Sequence, residues 1–113
     1  MTHLGPRGSF QYVMSRHLLA AFALVGFAAC GPVQSTAHLM DADVELEAAR
    51  TAQADKLAPY EWTAANLYLH KAREEVGYAD FEQAVTYAAK ASKFAAAARD
   101  IAMKAVKKDE PGP

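Results

Sequence analysis

From Asp80 onward the chain returns a small or apolar residue at alternating three- and four-residue intervals: Phe81, Ala84, Ala88, Ala91, Ala95, Ala98, Ala102 and Ala105. Such spacing keeps one stripe on the same side of an α-helix, and a stripe of alanine lets the backbone of a second helix come close. The pattern predicts a helix over 80–107, roughly 40 Å long at about 1.5 Å per residue. Tyr87, Phe94 and Ile101, seven apart, add bulk along one border of the stripe. A chain with this segment is expected to be all-α, an antiparallel helical hairpin or a three-helix bundle.

The rest of the domain has the same character. Leu39, Ala42, Leu46, Ala49 and Ala52 mark a first helix over about 39–57, with Asp41, Asp43, Glu45 and Glu47 in its early turns, where acidic groups suit the helix dipole. Pro59 lacks a backbone donor and crowds the preceding turn, so a break is expected near Ala58. Trp62, Ala65, Leu69, Ala72 and Val76 then form the stripe of a second helix over about 60–76. Gly77 is the expected left-handed terminator, and Asp80 with Gln83 three residues on is a capping-box pattern opening the third helix. The third helix outreaches the second, so the first helix or another molecule should cover its remainder. Pro111, Gly112 and Pro113 close an exposed tail over 109–113.

Of the 113 residues 52% are hydrophobic, but so many are alanine that the core must be thin, and a large ligand-enclosing interior is not expected. One cysteine excludes an internal disulfide framework and a cysteine-rich zinc site. A net charge of -1 supplies no reason to expect nucleic acid as a partner. Charge is segregated, however: 41–82 is mostly acidic, whereas Lys90, Lys93, Arg99, Lys104, Lys107 and Lys108 make the last helix basic. An antiparallel arrangement should bring the acidic first helix near the basic third. Lys104, Lys107 and Lys108 read either as a solvated helix C-terminus or as a contact surface for an acidic partner or anionic polymer.

Ahead of the domain, Met14-Ser15-Arg16-His17 precedes the apolar run Leu18 to Ala29 and then Cys30-Gly31. A basic start, about a dozen apolar residues and small residues at the end are the three parts of an export signal, while a spanning helix needs about 20 apolar residues. Phe27-Ala28-Ala29-Cys30 resembles the lipobox of bacterial lipoproteins, with Phe27 where an aliphatic is usual. The resemblance implies cleavage before Cys30, a diacylglycerol on its sulfur and acylation of the new amino terminus. Gly31, where inner-membrane retention typically shows Asp, points to the outer membrane, facing the periplasm. The implied organisation is a signal peptide over 1–29 with Met14 as the true start, a lipidated tether over 30–38, and a helical domain over 39–108. Loss of Arg7 and Arg16 takes the charge from -1 to -3. Acyl chains at about 0.8 kcal/mol per buried methylene make a stable anchor, and across a flexible tether containing Pro32, Ser35 and Thr36 the folded part need not touch the bilayer.

Two further resemblances concern the domain. Residues 80–91, Asp-Phe-Glu-Gln-Ala-Val-Thr-Tyr-Ala-Ala-Lys-Ala, are similar to the second helix of a tetratricopeptide repeat, but no second 34-residue period follows, so a repeat array is not expected. The mature chain as a whole resembles an uncharacterised family of short α-helical bacterial lipoproteins sharing a domain of unknown function. The shared features are the lipobox, an alanine-rich first helix, a break like Ala58-Pro59, and a small turn followed by alanines every three to four residues. That likeness implies a cell-envelope role.

No catalytic constellation is expected. His38 and His70 lie far apart without ligand spacing, and the adjacent Glu74 and Glu75 project about 100° apart on a helix. No cofactor and no metal are called for. Tyr60, Trp62, Tyr68 and Tyr78 make the second helix and its turn dense in aromatics. One reading has Trp62 and Phe81 anchoring an alanine core with the tyrosines at its rim; the alternative is an exposed aromatic patch for a protein or glycan partner, with Tyr68 and Tyr78 as the candidates. The sequence therefore suggests a non-catalytic adaptor or assembly element held to the membrane through acylated Cys30, partnered by another envelope protein or by itself. The alternative is a module binding peptidoglycan or another anionic envelope component through the basic end of the last helix.

Overall fold

The computed structural model describes residues 15–23 and 30–112. The chain divides into two compact units, Met1–Cys30 and Gly31–Pro113. In the first, residues 15–23 are helical (α1), with Leu18, Leu19 and Phe22 exposed. Met14 and the Phe27 to Ala29 part of the lipobox lie outside the described residues. Among the described residues no helix is long and apolar enough to cross a membrane.

The second unit is all-α: α2 (Cys30–Thr51), a single turn α3 (Ala54–Leu57), α4 (Pro59–Gly77) and α5 (Phe81–Asp109). Ala58 and Ala54 share a cluster with Ala98 and Ala102, while Leu69 meets Ala91, so α4 runs antiparallel to α5. Gly31 lies against Phe81, Ala42 clusters with Ala91, and Ala49 clusters with Ala98; these pairings ascend together, so α2 runs parallel to α5. The result is an up-down-up three-helix bundle. The acidic first helix meets the basic third, the two helices running the same way.

Among the described residues the core consists of alanine with one leucine, Leu69, and one serine, Ser35. Its positions repeat every seven residues: Ser35, Ala42 and Ala49 on α2; Ala58, Ala65 and Ala72 into and along α4; Ala84, Ala91 and Ala98 alternating with Ala88, Ala95 and Ala102 on α5. A strict seven-residue repeat on helices of 3.6 residues per turn drives a left-handed supercoil, and small knobs bring the axes close. Leu39, Leu46, Leu57 and Trp62 pack along the edges of the alanine clusters.

Three local expectations are corrected. Residues 31–38 are not a flexible tether but the first turns of α2. Pro32 sits in the opening turn, where a missing N–H costs nothing, and Ser35 continues the seven-residue seam. Its buried hydroxyl donates to Pro32 O at 3.0 Å, and Thr36 Oγ1 donates to the same oxygen at 2.8 Å. The first helix also stops earlier than expected, at Thr51, because Gln53 takes a left-handed φ of 61° before α3 begins. Pro59 then opens α4 at its first position, after a buried Ala58 held at φ -141° and ψ 58°.

At the α4–α5 turn the left-handed residue is Ala79 (φ 61°), not Gly77, which remains helical. Asp80 N–H donates to Glu75 O at 2.9 Å and Ala79 N–H to Val76 O at 3.0 Å, a Schellman closure. Asp80 also caps α5, its Oδ1 accepting from the Gln83 backbone N–H at 3.1 Å. One residue thus ends one helix and starts the next, which is why the turn is so short.

Candidate functional site

Stripes that face away from the core carry the chemistry that remains. On α4 the inward set, Ala65, Leu69 and Ala72, leaves Tyr60, Ala64, Leu67 and Lys71 on another side, with Tyr68 about 100° round from Leu69. Along the seam with α5 these side chains meet the border residues Tyr87 and Phe94. Tyr68 stacks on Phe94 with centroids 5.6 Å apart and rings 11° from parallel, and on Tyr87 at 6.0 Å. Tyr60 approaches Phe94 edge-on at 6.4 Å. Lys90 Nζ lies 5.4 Å from the centroid of Tyr68 and 5.7 Å from that of Tyr87, so a cation caps the ladder.

Beside the ladder runs an apolar groove of about 380 Å³ lined by Tyr60, Thr63, Ala64, Leu67, Tyr68 and Phe94, with Lys71 at its end. Tyr60 is 72% exposed and Leu67 59%. A second apolar strip lies on α2, where Val33 (68% exposed), Ala37, Met40 (63%) and Val44 (68%) face directly away from Ser35 and Ala42. Scattered exposed apolar residues are ordinary on a protein surface, but aligned ones at helical spacing form a contiguous strip.

The ion pairs tie the bundle together. Arg99 Nη1 donates to Glu45 Oε2 at 2.8 Å, joining α5 to α2, and Arg73 Nη2 donates to Asp43 Oδ1 at 2.6 Å, joining α4 to α2. Arg50 lies 5.8 Å over the Trp62 ring, near the α2–α3 break.

The structure brings only part of the expected set together. Tyr68 is at the centre of the aromatic ladder. Tyr78 stands apart in the α4–α5 turn, 75% exposed. Lys104, Lys107 and Lys108 are all exposed on the last turns of α5, with Lys107 beside a shallow depression under the α2–α3 break, lined also by Gln53, Met103 and Val106. Cys30 is exposed at the first position of α2. His38 is half-buried on α2 and His70 exposed on α4. Among the described residues no group of three or more His, Cys, Asp or Glu is placed to hold a metal ion.

Sequence reasoning did not single out Tyr60, Phe94, Tyr87 and Lys90 as a set with Tyr68. The seven-residue step from Tyr87 to Phe94 was the available signal, since residues so spaced share a helix face. It missed the α2 strip altogether, because Val33 and Ala37 fell in the stretch read as tether. No protein-family model, curated protein or solved structure matches the chain.

Proposed function

We propose that the protein is a membrane-anchored lipoprotein of the bacterial envelope whose bundle works as a non-catalytic assembly element. The observation that carries the assembly reading is that a closed core leaves Val33, Met40 and Val44 on α2 and Tyr60 and Leu67 on α4 outside, each at least 59% exposed. A thin alanine core adds only modest stability per residue, so covering these strips with another helix would stabilise the bundle further.

The anchor reading rests on Cys30 and its setting. The second compact unit begins at Gly31, one residue after it, and among the described residues every buried one lies beyond that point. Gly31 is also held by packing, since a Cβ there would fall 3.2 Å from Phe81 Cδ2. With α2 helical from Cys30, lipid on that sulfur would draw the Gly31–Phe81 end of the bundle to the headgroups, and exposed Tyr78 belongs to the same end. Intact mass of membrane-extracted protein tests the anchor: the expected species begins at Cys30 and carries diacylglyceryl and acyl additions. Full-length chain with an unmodified thiol, recovered from cytosol, would overturn it. For assembly, light scattering in detergent should give a mass above the monomer or a co-extracted envelope protein, and a monomer that captures none would defeat the reading.

A second reading has its own support. Lys104, Lys107 and Lys108 are exposed at the end of α5 remote from Gly31, a helix length of about 35–40 Å away. Presented so far from the anchor, they suit an anionic wall polymer such as peptidoglycan. Retention on isolated sacculi should then fall with salt and disappear when all three are changed to Glu; retention indifferent to those changes counts against it.

A further inference from the structure

We infer that the two outward strips are complementary halves of one contact: the α2 strip of one copy docks into the α4–α5 groove of a second copy, head to tail. This deepens the assembly half of the proposed function and does not depend on the anchor.

The spacing matches. Val33, Ala37, Met40 and Val44 are separated by four, three and four residues, and so are Tyr60, Ala64, Leu67 and Lys71. Each strip therefore covers the same length, about 16 Å. Side chains repeating at that interval are what one helix needs to lay its ridge along the groove of another. The groove supplies a flat aromatic wall from Tyr68 and Phe94, held by stacking before any partner arrives. Preformed rings lose little freedom on contact, which favours binding.

Charge selects the pairing. The α2 strip is flanked by exposed Asp41 and runs on into Glu47, whose contact with Arg50 is a solvent-exposed one at 3.8 Å. The groove ends at Lys71, itself only loosely paired with Glu74 at 3.9 Å, and is bordered by Lys90 over the ladder. Setting two α2 strips together in the same direction would bring Asp41 and Glu47 of each copy together, whereas α2 laid in the groove parallel to α4 brings them to Lys71 and Lys90. Like charges opposed across an interface cost affinity, and opposite ones fix which surfaces meet. The acidic strip therefore avoids its own image and suits the groove. Because the joined surfaces differ, the contact is heterologous, and successive copies form a ring or an open row. Bringing Asp41 and Glu47 to Lys71 lays α2 of one copy parallel to α4 of the next, so neighbouring copies point in opposite directions along the bundle, and each contact is small.

A photo-crosslinking experiment decides it. Met40→p-benzoylphenylalanine is placed at an exposed position, and full-length chain so expressed is mixed as nitrogen-14 and nitrogen-15 copies. On irradiation, mass spectrometry should find adducts joining light to heavy copies, with the far end on residues 60–71 or Phe94. Leu67→Glu or Lys71→Glu should each lower the yield at least tenfold, with helicity by circular dichroism unchanged. Asp41→Lys combined with Lys71→Glu should restore it, which a general loss of folding would not permit. Adducts to lipid, to a foreign protein, or to another region of the second copy would each overturn the inference, as would no adduct. Association through another region would leave the assembly reading standing, whereas a monomer that captures nothing would remove both.

Discussion

Ala79 holds a left-handed backbone at φ 61° while Gly77, two residues before it, spends its conformational freedom inside a helix. An L-residue with a Cβ pays about 1–2 kcal/mol in that region, and glycine within a helix costs roughly 0.5–1 kcal/mol relative to alanine. Ala79→Gly should therefore stabilise the bundle by about 1 kcal/mol. Gly77→Ala should add up to about 1 kcal/mol more, since a Cβ at Gly77 meets nothing within 4 Å. For a domain of this size each kcal/mol moves Tm by about 4–8 °C. Thermal melts followed at 222 nm check this, and an unchanged or lower Tm for Ala79→Gly would refute the strain account. Asp80 is the opposite case: its Oδ1 is the cap of α5, so Asp80→Ala should cost about 1 kcal/mol in the same assay.

At the scale of the helices, closeness of approach is what the alanine seam provides. Ala98 has no exposed surface and lies in a cluster fed by α2, α3 and α5. Ala98→Leu should cost about 1–3 kcal/mol, because the extra atoms must push helix axes apart. Ala105→Leu, at a half-buried position near the end of the same seam, should cost less than about 1 kcal/mol. Equal losses at the two sites would mean that the axes are not held closely along α5. The ion pairs belong to this scale too. The side chains of Arg99 and Glu45 are 33% and 35% exposed, so much of their attraction is screened. Glu45→Gln should shift stability by no more than about 1 kcal/mol in urea unfolding. These pairs select which face of α2 docks rather than supply the stability of the dock.

The whole molecule is a register problem. All three long helices share the seven-residue repeat, so each layer of the core is completed by residues distant in sequence. One alanine inserted after Lys93 would rotate Ala95, Ala98 and Ala102 by about 100° away from their partners and unseat Phe94 from the ladder. The expected loss is about 3 kcal/mol or more, by denaturant unfolding. The same insertion after Val106, beyond the last fully buried residue, should change stability by no more than about 0.5 kcal/mol. If both insertions were equally tolerated, the seven-residue seam could not be the feature that holds the three helices in register.

The amino-acid sequence by itself determined the helical class, the α4 and α5 stripes to within a residue or two, and the cap at Asp80. Those follow from local rules: a period of 3.6 residues, an absent donor at Pro59, and a carboxylate able to accept a backbone N–H. It could not determine that Pro32, Ser35 and Thr36 are helical. Proline and small hydroxyl residues also suit linkers, and what decides for the helix is burial of Ser35 on the seam that Ala42 and Ala49 continue. Nor could it tell which of Gly77 and Ala79 would turn left-handed, because that depends on where α5 must begin to pack. The aromatic ladder is likewise a product of the antiparallel α4–α5 pairing, which brings Tyr68 onto Phe94 and Tyr87 across a turn. Residues on one helix are related by periodicity alone; residues on two are related only once their axes, register and direction are set by packing.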